Sequence, residues 1–407
     1  MKVAVLGAGL LQNYIIDAIH AKRYTAIAFD GNPQCASTTN ADEFINLDFS
    51  DRESLLRECR KREIDGILTY ASEAAAPVVS WVAEQMGLRC NPYDSVEILK
   101  NKDLTRTFLK ENGFNVPKFF PSNDIDEARK FAKEMQCPFV IKPIDSCGSR
   151  GFSKIEDESE IEEAIYKAFE NSKKKQIILE EFLERKGYYL DVECYVSDGR
   201  IVYFEPMYQH RDELAPYSPI GDSLPIDRCS IDGKNALFSP SKDAFEEVRN
   251  ELQRILDLLE MKFGIFNVEF IYDKSNKLYF MEIGPRAGGN LISEANYHST
   301  GFDMRLALVS DTLGDKIDYH FDSRKKFVSC LLVHSEFDGI FDGIEFADDF
   351  YGEILDELWF VKSGDSVSKF TNGKYGLGLL IIEFANREEM LKVMDHSTKY
   401  IRVKLKK

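Results

Sequence analysis

The chain has 407 residues, enough for two to four domains at roughly 100–200 residues each, and its 44% hydrophobic and 30% charged content is that of a folding chain rather than a disordered one. Asp and Glu number 69 against 52 Lys and Arg, and the resulting charge of −17 disfavours a general electrostatic grip on nucleic acid. No apolar run approaches the roughly 18 residues needed to cross a bilayer, and the opening MKVAVLGAGLL reads as a strand entering a glycine loop rather than a signal peptide, so a cytoplasmic protein without membrane contact is expected.

The amino-terminal part alternates short strands (2–6, 25–30, 43–47, 66–70) with helices (10–22, 51–62, 74–86), which predicts a parallel sheet with right-handed crossovers ending near residue 92. A helical connector spans 93–113. Beyond it the spacing predicts a helix over 124–135, a strand over 139–142, a small-residue loop over 145–151 and a strand over 152–155. A helix over 158–171, a strand over 176–180 and two strands within 188–208 follow. Residues 209–240, rich in Pro, Gly, Ser and Asp, read as a long loop. A helix over 241–260 leads into a hairpin of strands 264–272 and 277–283, turning at 273–276. From about 317 a strand-rich tail reads as a smaller domain.

Four segments carry candidate chemistry. Gly7-Ala8-Gly9 with Gln12 is an incomplete dinucleotide fingerprint lacking its third glycine, and Asp30 ends the next strand where a ribose-binding acid would sit. A tight turn with no nucleotide and a hydride-transfer enzyme are both open there, and nothing downstream supplies a hydride-transfer site. Phe139-Val140-Ile141-Lys142 delivers a lysine, a point charge for phosphate, ahead of the loop Ser146–Gly151, whose small residues let backbone N–H groups close over anionic oxygens. Ile177-Ile178-Leu179 is an apolar strand running into Glu180, Glu181, Phe182 and Leu183, an extended backbone able to offer a C=O and an N–H to a base edge. Finally, Glu269 and Glu282 lie on strands joined by a short turn. Antiparallel pairing would set them side by side, where two carboxylates repel unless a cation such as Mg²⁺ lies between them. Taken singly, each segment also fits an ordinary hairpin, strand end or solvated acid. The eight cysteines form no CxxC pair and the six histidines no HExxH motif, so free thiols and no zinc site are expected.

The order of these segments, ending in Glu282-Ile283-Gly284-Pro285-Arg286, resembles the ATP-grasp superfamily of carboxylate–amine ligases. The likeness is greatest to the branch holding L-amino acid ligases, the carbamoyl phosphate synthase large chain and biotin carboxylase. The resemblance implies an α/β protein: a Rossmann-like domain at 1–92, an ATP-grasp domain at 93–316 with a lid at about 114–185, and a small α+β domain at 317–407. It implies ATP as nucleotide and Mg²⁺, with Mn²⁺ as a substitute, as metal. Lys102 and Lys142 stand where the family places phosphate-binding lysines. Ser146, Gly148, Ser149 and Gly151 match the lid over the phosphates. Glu180, Glu181, Phe182 and Leu183 match the adenine hinge, with Glu180 offering its backbone carbonyl and Leu183 its N–H.

In the segment 187–193 Tyr189 replaces an expected acid, and Asp191 is assigned to the nucleotide. Glu269 and Glu282 match the metal carboxylates, and Gly284 replaces a common asparagine ligand. Arg286 and Lys142 match the catalytic cations, and Gly288, Gly289 and Asn290 the backbone site beside the acyl phosphate. His210 and Arg211 open the long loop and suit an acceptor carboxylate, since guanidinium forks match it. Tyr217, Gly221 and Asp222 in that loop are candidates for shaping substrate choice.

The expected activity joins a small-molecule carboxylate, activated as an acyl phosphate, to an amine such as an amino acid. The resemblance is compatible with a homodimer, and no membrane or nucleic-acid partner is expected. Two other readings stay open: a purine-pathway ligase like phosphoribosylglycinamide synthetase, whose usual glycine loop Gly7–Gln12 does not match, and a non-catalytic ATP-binding module.

Overall fold

The computed structural model describes residues 1–146, 148–185, 187–226, 244–322 and 325–406. Its fold is mixed α/β. Strands β1 (Lys2–Leu6), β2 (Thr25–Asp30), β3 (Glu43–Asn46) and β4 (Gly66–Thr69) form a parallel sheet in the order β3-β2-β1-β4. The sequence Val3-Ala4-Val5-Leu6 is apolar throughout because helices cover both faces of such a sheet, and all four residues are fully buried. The glycine loop after β1 is closed by its own neighbours. Asp30 accepts a 2.9 Å hydrogen bond from the Ala8 N–H, and the Gln12 side chain lies over Gly7 and donates to the Tyr70 carbonyl at 2.6 Å. Both groups that a dinucleotide would meet are engaged by the loop itself.

The predicted connector is two helices, Tyr93–Lys100 and Lys102–Glu111, broken at Asn101. Strands β5 (Phe119–Ser122), β6 (Phe139–Pro143), β7 (Ser153–Ile155) and β8 (Ile177–Glu181) then form an antiparallel sheet ordered β5-β8-β6-β7. The main sheet begins with β9 (Tyr189–Ser197), β10 (Arg200–Arg211) and β11 (Pro219–Leu224). The hairpin β12 (Gly264–Tyr272) and β13 (Leu278–Gly284) joins it, turning at 273–276 as the sequence predicts. The tail adds β14 (Phe327–Val333), β15 (Gly339–Phe346), β16 (Glu353–Trp359), β17 (Ser366–Val367), β18 (Gly378–Phe384) and β19 (Ile401–Lys406).

Two expectations change here. First, the loop predicted over 209–240 is in part a strand. β11 reads as loop because Pro219, Gly221 and Asp222 are turn residues, yet it fills the space between β10 and β14. Gly221 permits this, since a Cβ there would lie 2.0 Å from the Cys330 carbonyl oxygen of β14. Residues 227–240 of the expected loop, 241–243 at the start of the following helix, and Cys147 in the small-residue loop lie outside the described residues. Second, the tail is not self-contained at 317. β14, β16 and β18 extend one eight-stranded sheet ordered β13-β12-β9-β10-β11-β14-β18-β16, because the apolar runs of β14 and β18 pair onward from β11. Only β15, β17 and β19 form a separate sheet.

Strand alternation gives the main sheet two unlike faces. Leu190, Val192, Cys194 and Val196 of β9 point to an apolar core shared with Val248, Leu252 and Ile255 of the helix Ala244–Leu258. Tyr189, Asp191 and Glu193 point the other way. Helix Met304–Leu313, which the sequence reading did not separate, packs Met304 and Ala307 into a core with Val3 and Val5 of the first sheet and Ile265 of the main one, joining the two. Among the described residues no helix is long and apolar enough to cross a membrane.

Candidate active site

The polar face of the main sheet carries a row of acids. Glu269 on β12 is paired directly with Glu282 on β13 and, on its other side, with Asp191 on β9. Cations converge on one end of this row. Lys102 Nζ lies 3.6 Å and an Arg286 terminal nitrogen 3.9 Å from the Glu282 carboxylate, while Arg286 Nε donates to Glu73 at 2.7 Å. The two paired acids respond in opposite directions. Burial and the charge of Glu282 push the Glu269 carboxyl above its ordinary range, with Arg211 opposing. At Glu282 burial works against ionisation, but Lys102, Arg286 and Lys142 outweigh it and hold the carboxyl below the usual range. Asn267, on the same face two residues before Glu269, accepts from Arg286 at 3.3 Å and donates to Asp191 at 2.9 Å.

The second sheet supplies the opposite wall. Lys142 on β6 pairs with the side chain of Glu180 on β8, whose other oxygen accepts 2.7 Å from Arg106 Nε. Arg106 is fully buried, and its terminal nitrogens also donate to the Phe280 and Met281 carbonyls of β13. It thereby fastens the lysine-bearing sheet to the carboxylate-bearing one. Burial lowers the Lys142 pKa, helped by the charges of Arg106 and Lys102 and opposed by Glu180.

Between the sheets lies a cavity of about 750 Å³, lined by Lys102, Lys142, Glu180, Glu269, Glu282 and Arg286 together with Asp191, Arg211 and Asp222. Ser146, Gly148 and Ser149 close it from the loop after β6, where Lys102 Nζ donates to the Ser146 carbonyl at 2.8 Å. Ser149 Oγ donates to the Tyr217 carbonyl at 2.6 Å, and the Tyr217 ring packs 4.8 Å from Phe152, so the loop is pinned to the segment between β10 and β11. Glu181, Phe182 and Leu183 line the wall where β8 ends.

A model of the ATP-grasp domain matches residues 99–290, a span holding the two lysines, the loop, the hinge, the paired acids and Arg286. Residues 99–290 are thus similar to an ATP-grasp domain. It is 26% identical over 301 residues to the carbamoyl phosphate synthase large chain, C-terminal section, of Aquifex aeolicus, matching 70% of this chain and 53% of that protein, so it spans about half the relative's length. In fold it is similar to L-amino acid ligase from Bacillus licheniformis (TM-score 0.82, 18% identity, 100% of this chain and 99% of that one). It is also similar to the biotin carboxylase domain of Hydrogenobacter thermophilus 2-oxoglutarate carboxylase, solved with MgADP and bicarbonate (TM-score 0.72, 16% identity, 100% and 91%).

The fold does not bring every expected residue to the cavity. His210 follows Gln209 and precedes Arg211 on β10, and in a strand neighbours face opposite sides. Gln209 and Arg211 therefore line the cavity, while His210 is buried behind it, 3.0 Å from Asp395 and 2.8 Å from Ser223 Oγ. It is a satisfied structural histidine.

Gly288 does not line the cavity either. Its N–H donates to Glu193 at 3.0 Å, and a Cβ would lie 2.7 Å from Ile292, whereas Gly289 and Asn290 do face the cavity. Gly151 lies behind the loop, packed on Pro143 and Asn171. Glu180 lines the cavity, and its carboxylate bridges Lys142 and Arg106. Tyr189, in the place of an expected acid, carries the guanidinium carbons of Arg211 and Arg185 at 3.4 and 3.8 Å from its ring centroid.

Sequence reasoning missed Arg106, Glu73, Asn267 and Gln209. Asn267 had a signal in its two-residue spacing from Glu269, and Arg106 in its four-residue helical spacing from Lys102. Glu73 had none.

Proposed function

We propose that this ATP-grasp chain is an ATP-dependent ligase that activates a carboxylate as an acyl phosphate and couples it to an amine. The observation that carries the reading is the direct pairing of Glu269 with Glu282 beneath Lys102 and Arg286, facing Lys142 across one cavity. The organisation is that of an amino-terminal nucleotide-fold sheet, a central ATP-grasp unit with residues 114–185 as lid, and a tail that completes the main sheet.

The donor set fits a hard divalent cation: two adjacent carboxylates, one pushed up by burial and by the charge of the other, relax when a cation lies between them. Glu269 and Glu282 would hold Mg²⁺, and the bound ion would neutralise phosphate charge. The MgADP in the biotin carboxylase domain of similar fold supports ATP and Mg²⁺ here.

In the first step a carboxylate oxygen attacks the γ-phosphorus, the bond to the bridging oxygen breaks, and ADP leaves with the electron pair. In the second, the amine nitrogen attacks the acyl carbon, the C–O bond to phosphate breaks, phosphate leaves with the electron pair, and the nitrogen gives up one proton to the departing phosphate or to water. The protein's contribution is positioning and charge. Lys102 and Lys142 hold phosphate oxygens from two directions, and the Glu180–Arg106 bridge fixes Lys142. Arg286, oriented by Glu73 and Asn267, neutralises the acyl phosphate. The loop containing Ser146 and Ser149 excludes water, which would otherwise hydrolyse the intermediate.

The reading is tested by incubating the protein with ATP, Mg²⁺, hydroxylamine and a panel of carboxylates. A hydroxamate, formed in step with ADP, is expected for at least one carboxylate. ADP release without hydroxamate for every carboxylate would refute the reading.

A further inference from the structure

At the end of the cavity away from Lys102 lies a carboxylate that this mechanism leaves unused. Asp222 on β11 is 1% exposed and lines the cavity, yet its Oδ1 accepts no hydrogen bond among the described residues. Its other oxygen has only the Cys330 thiol, a weak donor, 3.9 Å away. Asp222 pairs in register with Gln209, and the Gln209 amide reaches Asp191 and Glu269 at 3.5 Å each. Arg211, which also lines the cavity, is held by Gln209 at 2.6 Å and stacked on Tyr189.

A buried carboxylate oxygen without a donor is costly unless a ligand supplies one. The Arg211 guanidinium acts on Asp222 through charge but gives its Oδ1 no hydrogen bond, and a compact cation bearing N–H donors would supply one. An amino acid supplies that cation and, beside it, a carboxylate for the Arg211 guanidinium.

We propose that Asp222 and Arg211 form the acceptor subsite, with Asp222 Oδ1 holding the ammonium of an amino-acid nucleophile and Arg211 its carboxylate. The inference rests on the ligase reading and adds the class of the second substrate. Asp222 selects an acceptor that arrives as an ammonium, takes one proton from it so that the nitrogen has a free electron pair, and aims that nitrogen from the acidic end of the cavity toward the phosphate end, where the acyl group is made.

The test fixes one carboxylate that gives hydroxamate and compares two nucleophiles in wild type and Asp222→Asn. The first is hydroxylamine, which is mostly uncharged at pH 7 and carries no carboxylate, and the second is glycine or alanine. The substitution should lower kcat/KM for the amino-acid acceptor at least tenfold, mainly through KM, while hydroxamate formation falls less than threefold. Equal losses with both nucleophiles, a changed Mg²⁺ requirement, or no loss with the amino acids would overturn the subsite. Absence of hydroxamate in the wild type would instead refute the ligase reading.

A wild-type measurement makes the same decision without a variant. Glycolate and lactate, which carry a hydroxyl in place of the ammonium, should inhibit amide formation with constants at least tenfold above the KM of glycine and alanine. Comparable constants would remove the role of Asp222.

Discussion

The two regions of this molecule that look most like ligand sites in the sequence, the glycine loop after β1 and the cavity under the main sheet, differ in whether the protein satisfies its own polar groups. In the glycine loop Asp30 accepts from Ala8, and Gln12 closes over Gly7 to reach the Tyr70 carbonyl. In the cavity Glu269 faces Glu282, and Asp222 Oδ1 meets no donor among the described residues. A folded chain rarely leaves buried polar groups unpaired, and in the cavity a ligand would satisfy the acids that the protein leaves facing one another. A fingerprint-like loop whose groups are already paired need bind nothing.

The largest expected effect comes from removing a charge the cavity depends on. Glu282→Gln should abolish turnover, a loss of at least about a thousandfold, while far-ultraviolet circular dichroism stays that of the wild type. Retained activity would place the metal and phosphates elsewhere. Next, Arg106→Ala should destabilise the fold by about 3–5 kcal/mol, because it leaves the buried Glu180 carboxylate short of a partner and releases two β13 carbonyls. Chemical denaturation reads this directly, and a loss under about 1 kcal/mol would show that the two sheets are not fastened there.

On the other side of the comparison, Asp30→Ala should cost about 1–3 kcal/mol through the orphaned Ala8 N–H, with the KM for ATP unmoved. A rise in that KM would return the glycine loop to consideration as a nucleotide site. The smallest effect on catalysis is expected from His210→Gln, which alters a side chain behind the cavity and should change kcat less than about threefold, an RT ln 3 difference well under 1 kcal/mol. Arg211→Ala, one residue away but facing the cavity, should raise acceptor KM tenfold or more. Equal effects at 210 and 211 would contradict the assigned faces of β10.

What was legible in the sequence was the short-range pattern. Two strands within 188–208, the turn that sets Glu269 opposite Glu282, and Lys142 at the end of an apolar strand are local, and each appears in the fold. His210 was misjudged because adjacent residues on a strand cannot share a face, a rule the sequence carried but the loop reading of 209–240 concealed. β11 was hidden for another reason. Its Pro, Gly and Asp are turn residues by local preference, and the strand exists because β10 and β14 pair on either side of it. Arg106 reaches Glu180 across 74 positions of chain, and Arg286 reaches Glu73 across 213, distances at which no spacing in the sequence speaks. The tail read as separate for the same cause, since its union with the main sheet is a pairing of strands more than a hundred residues apart.

The most direct test of the account follows oxygen. With a substrate carboxylate labelled with ¹⁸O, ATP, Mg²⁺ and an amino-acid acceptor, each turnover should deliver one labelled oxygen from the carboxylate to the released inorganic phosphate, as mass spectrometry would show. Phosphate released with only unlabelled oxygen would mean that water, not a carboxylate, takes the γ-phosphoryl group, and would contradict the central claim.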